Sequence, residues 1–122
     1  MLLHMLKSKL HCAVVTEADP DYEGSIAIAR DLMEAAGLLP GEKVLVANGE
    51  NAHRFETYVI PAPAGSGTIG LNGAAALLGS PGDRVIIMAW GIFSEEEARA
   101  HAPTVVRLTR ENGVEARFPM PR

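Results

Sequence analysis

Short apolar runs separated by glycine and proline set the pattern along this chain. Positions 11–16, 25–29, 43–47, 55–60, 68–71, 84–89 and 104–108 are rich in valine, isoleucine and small apolar side chains, and each predicts a strand. The polar punctuation between them consists of turn formers: Pro20, Pro40-Gly41, Asn48-Gly49, Pro61 with Pro63, Asn72-Gly73 and Pro81-Gly82-Asp83. Helical spacing shows in two places. Over 31–36, Leu32, Ala35 and Ala36 share a face, Asp31 stands near the start and Gly37 is placed to cap the end. Ser94-Glu95-Glu96-Glu97 spells a capping box that opens a second, shorter helix, and its acids suit the positive end of the helix dipole. Nothing resembling a repeat or linker interrupts the series, so 1–122 reads as a single domain. Many short strands with two small helices predict a mainly β, compact barrel; a sandwich would use a similar strand count.

Composition narrows the class. In 122 residues, 48% hydrophobic and 21% charged, there is material for one real core and none of the bias of a disordered chain. The longest apolar runs, such as 85–89, are too short to span a bilayer, and no leader pattern opens the chain, so a soluble cytoplasmic protein is expected. The lone Cys12 cannot form an internal disulfide. A net charge of −4 without a basic stripe speaks against nucleic acid or a membrane surface as partner.

Several chemistries drop out on spacing. His4, His11, His53 and His101 show no ligand pattern on one element, so no metal site is expected. Gly65-Ser66-Gly67 lacks the Lys-Ser/Thr ending of a phosphate loop and reads as a flexible hairpin. Cys12, inside an apolar run, reads as a small buried hydrophobe. One segment is less ordinary. Tyr22-Glu23-Gly24-Ser25 places a Gly-Ser pair at the edge of an apolar strand. Taken alone it is a turn glycine before a strand-opening serine. A serine hydroxyl can also attack its own preceding carbonyl, and a glycine at that position tolerates the bent backbone best.

Lys9-Leu10-His11, Tyr22-Glu23-Gly24-Ser25, Arg54-Phe55-x-Thr57-Tyr58 and Asn72-Gly73-Ala74-Ala75-Ala76, in that order, closely resemble the pyruvoyl-dependent aspartate 1-decarboxylase family. Gly82-Asp83-x-Val85-Ile86-Ile87 and Glu96-Glu97-Ala98-Arg99 extend the resemblance, which runs to Pro103 and thins beyond it. It implies a six-stranded double-psi β-barrel assembled as a homotetramer. The chain would cut itself after Gly24 into 1–24 and 25–122, leaving Ser25 as a covalent pyruvoyl group, with no metal and no pyridoxal phosphate. L-Aspartate would condense with that group as a Schiff base and lose its α-carboxylate, giving β-alanine and CO2. Thr57 would stabilise the oxyanion of the cleavage step, with Tyr22 and His11 nearby. Arg54 and Lys9 would hold the substrate carboxylates. Tyr58 would return the proton. Asn72, Gly73, Ala74, Ala75, Ile86 and Thr57 would line the pocket.

Each of these residues alone has a plainer reading: solvated charges at Lys9 and Arg54, ordinary strand composition at Thr57-Tyr58, a hairpin turn at Asn72-Gly73. Only their joint occurrence points to the family. The chain departs from the pattern at Ala47, where some members carry tryptophan. Acceptance of glutamate stays open, since one methylene is worth only about 1–3 kcal/mol in a pocket. The need for a maturation helper also stays open.

Overall fold

The computed structural model describes residues 1–121. Nine strands form one sheet: β1 (Leu2–Val14), β2 (Glu17–Asp19), β3 (Ser25–Ala29), β4 (Lys43–Asn48), β5 (Arg54–Ala62), β6 (Ile69–Asn72), β7 (Arg84–Ser94), β8 (Thr104–Leu108) and β9 (Val114–Pro119). Two helices, α1 (Arg30–Ala36) and α2 (Glu95–Ala100), and a 3₁₀ helix over Gly73–Leu77 complete the chain. The protein is therefore mainly β. The strand order is β2-β6-β3-β5-β4-β7-β1-β8-β9, with β2 and β9 at its edges. Nine strands in an open order stand where the family resemblance implies six in a closed barrel.

All seven strands expected from the apolar runs are present, β3 and β8 with the expected ends and the other five with shifted ones. The largest shift is at β1, which begins at Leu2 and pairs with β7 from Leu2↔Ser94 to Val14↔Arg84. Its first half lacks a clean alternation and takes its strand state from antiparallel β7, while Ser8–His11 also pair with parallel β8. Cys12 differs from expectation: it is half-buried at φ +64, within the register shift between Leu10 and Ala13. A bulge there re-aims the side chain away from the core.

Local signals at the helices held in part. Gly37 closes α1 in the left-handed conformation at φ +69. Asp31 does not cap; its Oδ1 accepts instead from Gly65 N at 2.9 Å, which ties down the 65–67 loop. At α2 the capping box forms as read: Ser94 Oγ accepts from Glu97 N and Glu97 Oε1 accepts from Ser94 N.

The core gathers the inward residues of β3, β4, β6 and β7 with the apolar face of α1. Ile26, Ile28, Leu32, Val44, Val46, Ile69, Leu71 and Ile87 are all essentially inaccessible. Strand β3 is buried at every position, Ser25 included. A polar residue at the end of such a strand needs internal partners, because an unpaired buried hydroxyl is destabilising.

Candidate active site

Ser25 finds those partners. It opens β3 opposite Asn72, the last residue of β6. The two are 1% and 7% exposed. Ser25 Oγ donates to the Glu23 carbonyl at 3.0 Å and accepts from Asn72 Nδ2 at 3.0 Å. The hydroxyl is thus withdrawn from water beside the Gly24–Ser25 peptide and held from both sides.

Directly after Asn72 the chain turns at Gly73, φ +68, into the 3₁₀ helix. Asn72-Gly73 is therefore a helix entry, not the hairpin its composition suggests. A Cβ at Gly73 would lie 2.7 Å from Gly24 Cα, 2.8 Å from Gly24 N and 3.2 Å from the Tyr22 carbonyl oxygen. Backbone sign and contact both require glycine here. Gly24 itself has no positive φ, and a Cβ on it would meet nothing within 4 Å. The crowding at the Gly-Ser pair comes from Gly73, not from strain stored at Gly24. Ala74 and Ala75 follow in the 3₁₀ helix, the first exposed and the second packed against the core.

The far end of that segment is anchored by groups that read only as turn formers in the sequence. Asn48, 2% exposed, donates through Nδ2 to Leu78 O at 3.2 Å and to Asp83 Oδ2 at 2.9 Å. Ser80 N also donates to Asp83 Oδ2, at 2.9 Å. These two hydrogen bonds, Asn48's the stronger influence, hold the Asp83 carboxyl below its ordinary value.

Strand β5 lies against β3 in parallel, and the Ile26↔Val59 pairing puts Tyr58 next to Ser25. Along β5, Arg54, Glu56 and Tyr58 are exposed while Phe55, Thr57 and Val59 turn inward. Thr57 pairs with fully buried Val44, so its side chain lies on the face opposite Tyr58. Arg54, Ala47 and Ile86 line up as register partners across β5, β4 and β7, which brings three candidate or divergent positions into one row. Among the described residues neither Arg54 nor Lys9 lies within ion-pair distance of a carboxylate, whereas Lys7, Lys43, Arg84 and Arg99 each do.

Lys9 and His11 stand on β1. Three strands, β5, β4 and β7, stand between β1 and β3 in the sheet order. His11 is half-buried, with Nδ1 buried and unpartnered. Burial, then the nearby charges of Lys9 and Arg107, hold its pKa below the usual imidazole value. Tyr22 is exposed, its carbonyl facing Gly73. One protomer thus unites Tyr22, Gly24, Ser25, Tyr58, Asn72 and Gly73. Lys9, His11, Arg54 and Ile86 form a separate stretch of the sheet. Among the described residues no cluster of three or more His, Cys, Asp or Glu side chains could hold a metal ion. No helix among them is long and apolar enough to cross a membrane.

Comparison with known proteins places the chain among the decarboxylases. It belongs to the aspartate decarboxylase family, whose model matches residues 1–115. The match therefore continues past Pro103, where the quoted motifs thin out. The chain is 58% identical over 112 residues to the aspartate 1-decarboxylase of Caulobacter vibrioides, covering 92% of this chain and 95% of that one. It is 56% identical over 110 residues to that of Heliobacterium modesticaldum, covering 90% and 83%. The aspartate 1-decarboxylase of Phenylobacterium zucineum is 55% identical over 114 residues, covering 93% and 97%.

Proposed function

We propose that this protein decarboxylates L-aspartate at its α-carboxylate to β-alanine and CO2, using a pyruvoyl group made from Ser25 when the chain cuts itself after Gly24. The observation that carries the reading is the buried Ser25 hydroxyl, held between the Glu23 carbonyl and Asn72 Nδ2. Released from Glu23, the Oγ attacks the Gly24 carbonyl carbon, and the Gly24–Ser25 C–N bond breaks to leave an ester and a free amine. Loss of the Ser25 α-proton expels Gly24 as a carboxylate and leaves a dehydroalanine. Water then replaces its nitrogen, which departs as ammonia, and a pyruvoyl group remains. Gly73 holds Gly24 in place during this sequence, and exclusion of water from Ser25 favours attack from within over outside hydrolysis.

The residues present suit that group: Asn72 Nδ2 donates to Ser25 Oγ, the oxygen that leaves with the Gly24 carboxylate, and once that oxygen has gone it would be free to donate to the ketone that water installs on the neighbouring Cα. Once formed, the group supplies a ketone that captures the substrate amine and takes up the electron pair left by departing CO2. Tyr58, register neighbour of Ser25 and 41% exposed, is placed to return the proton to the α-carbon. Arg54 offers a fork for a substrate carboxylate and Lys9 a point charge, neither consumed by an internal ion pair. Thr57, half-buried beside Tyr58 on β5, would serve both the oxyanion of cleavage and the lining of the pocket.

The strands between Lys9 and Ser25 support assembly as a homotetramer, in which a second copy brings its cations to the serine of the first. Exposed Leu2, Trp90 and Ile92 support the same reading, as does a cavity of about 430 Å³ lined by His4, Lys43, Leu45, Trp90 and Ile92. We also infer closure of the sheet into the double-psi barrel of the family, and a cytoplasmic location suited to a single-cysteine enzyme. Intact-mass measurement on the purified chain and on Ser25→Ala tests the reading. The parent should appear as two chains split after Gly24 and should release β-alanine from aspartate; the variant should be folded, whole and inactive. An uncut parent, or a variant that still turns over aspartate, removes Ser25 from the mechanism.

A further inference from the structure

Asn112 is distant in sequence from the Gly24–Ser25 pair, yet its side chain joins both segments that lead to it. It sits in the turn between β8 and β9, 3% exposed and at φ +61. Its Oδ1 accepts from Val14 N, and its Nδ2 donates to Val14 O and to Gly67 O, each at 2.8 Å. The amide thus acts as a strand partner where β1 ends, satisfying both main-chain groups of one residue. The turn that carries it is itself tied: Asn112 N donates to Thr109 O at 3.0 Å, Thr109 N to Gly113 O at 2.8 Å and Gly113 N to Thr109 Oγ1 at 3.0 Å. It also fits closely against its neighbour, because a Cβ on Gly67 would lie 2.8 Å from Glu111 O.

The two segments gripped by Asn112 run side by side to the cleavage site. After Val14, Val15 N donates to Asp83 O at 2.9 Å and Thr16 N to Ile69 O at 2.8 Å. Strand β2 then pairs in parallel with β6, from Glu17↔Gly70 to Asp19↔Asn72, and leads on through Tyr22 to Gly24. After Gly67, β6 ends at Asn72 and Gly73, the residues that touch Ser25 and Gly24. One side chain therefore sets the relative start of a leg that carries the carbonyl under attack and a leg that carries the groups holding it.

We propose that Asn112 is a positioning residue for chain cleavage, which makes the C-terminal hairpin part of the self-processing machinery. The inference rests on the self-cleavage reading above and extends it to a part of the chain that touches neither reacting atom. Loss of the amide frees the two legs to shift against each other, and a misplacement of about 1 Å at a reacting centre can cost about 10²-fold in rate.

The test follows cleavage over time by intact mass, on chain purified promptly after expression, at a temperature well below unfolding. Asn112→Gly keeps the left-handed backbone and removes the amide. Asn112→Asp keeps an acceptor for Val14 N and loses both donations. Val106→Ala, a buried residue of β8 that lies outside both legs and makes none of the Asn112 hydrogen bonds, serves as the destabilised control. Asn112→Gly should cut at least about tenfold more slowly than a Val106→Ala chain of equal or lower melting temperature, with Asn112→Asp between them. If Asn112→Gly does not fold, the same comparison is made with Asn112→Asp. An Asn112 variant that cuts at the parent rate, or slows only as much as Val106→Ala, overturns the inference and leaves self-cleavage standing. A parent that never cuts overturns both.

Discussion

Gly73→Ala isolates the contact between the 3₁₀ helix and the Gly24–Ser25 pair. The new methyl would sit 2.7 Å from Gly24 Cα and 2.8 Å from Gly24 N, and those atoms are backbone, so no side chain can swing aside. Alanine at φ +68 costs about 1–2 kcal/mol, and forcing a methyl into filled space costs about 1–3 kcal/mol more. The expected loss of stability is about 2–5 kcal/mol, shared between unfolding and a shift of Gly24 away from Ser25. Gly41→Ala is the reference: it stands at φ +84 with nothing within 4 Å of the added carbon, so it carries the backbone cost alone. Thermal unfolding should rank parent above Gly41→Ala above Gly73→Ala. Cleavage followed by intact mass should be near the parent rate in Gly41→Ala and at least about tenfold slower in Gly73→Ala. Equal cleavage rates in the two variants would refute the view that Gly73 positions the bond to be cut.

Arg54→Ala should leave cleavage intact and lower kcat/KM for aspartate by at least about tenfold, as for loss of a charge-assisted pair worth about 1.5–3 kcal/mol. Unchanged steady-state kinetics in the cleaved variant would assign the substrate carboxylate to another cation. His11 should titrate below its ordinary value of 6.5 when followed by NMR. Because the folded chain disfavours the charged ring, this residue contributes stability above pH 6.5 that is lost as the pH falls through the lowered folded value. Succinate, which carries two carboxylates and no amine, should raise that midpoint by offsetting the Lys9 charge. A midpoint indifferent to succinate would place dicarboxylate binding away from Lys9.

Local chemistry determined much of this protein by itself. The capping box at Ser94, the left-handed Gly37 and the seven apolar runs depend on neighbours a few residues away; the two caps are found where the residues place them, and each run marks a strand, five of them with ends that tertiary pairing moves, most of all in β1. Tyr22-Glu23-Gly24-Ser25 and its companion motifs likewise carried the family in the sequence itself, because residue types in a fixed order can be read without the fold. Tertiary structure decided the rest. The N-terminal half of β1 and the three-residue β2 carry no clean alternation and become strands through β7 and β6 beside them, whereas Val114–Phe118 alternates and is completed as β9 by pairing with β8. Nothing local distinguishes Asp31 as a cap from Asp31 as a partner of Gly65, and only the approach of the 65–67 loop resolves it. The inward turn of Thr57 follows from the pairing of β5 with β4, which no property of Thr57-Tyr58 encodes. Asn72-Gly73 reads as a hairpin turn and nothing in the sequence marks Asn112, since the contacts that set Gly73 and Asn112 apart, to Gly24 and to Val14, join residues far apart in the chain. Such contacts arise only when the sheet has brought its distant strands into register.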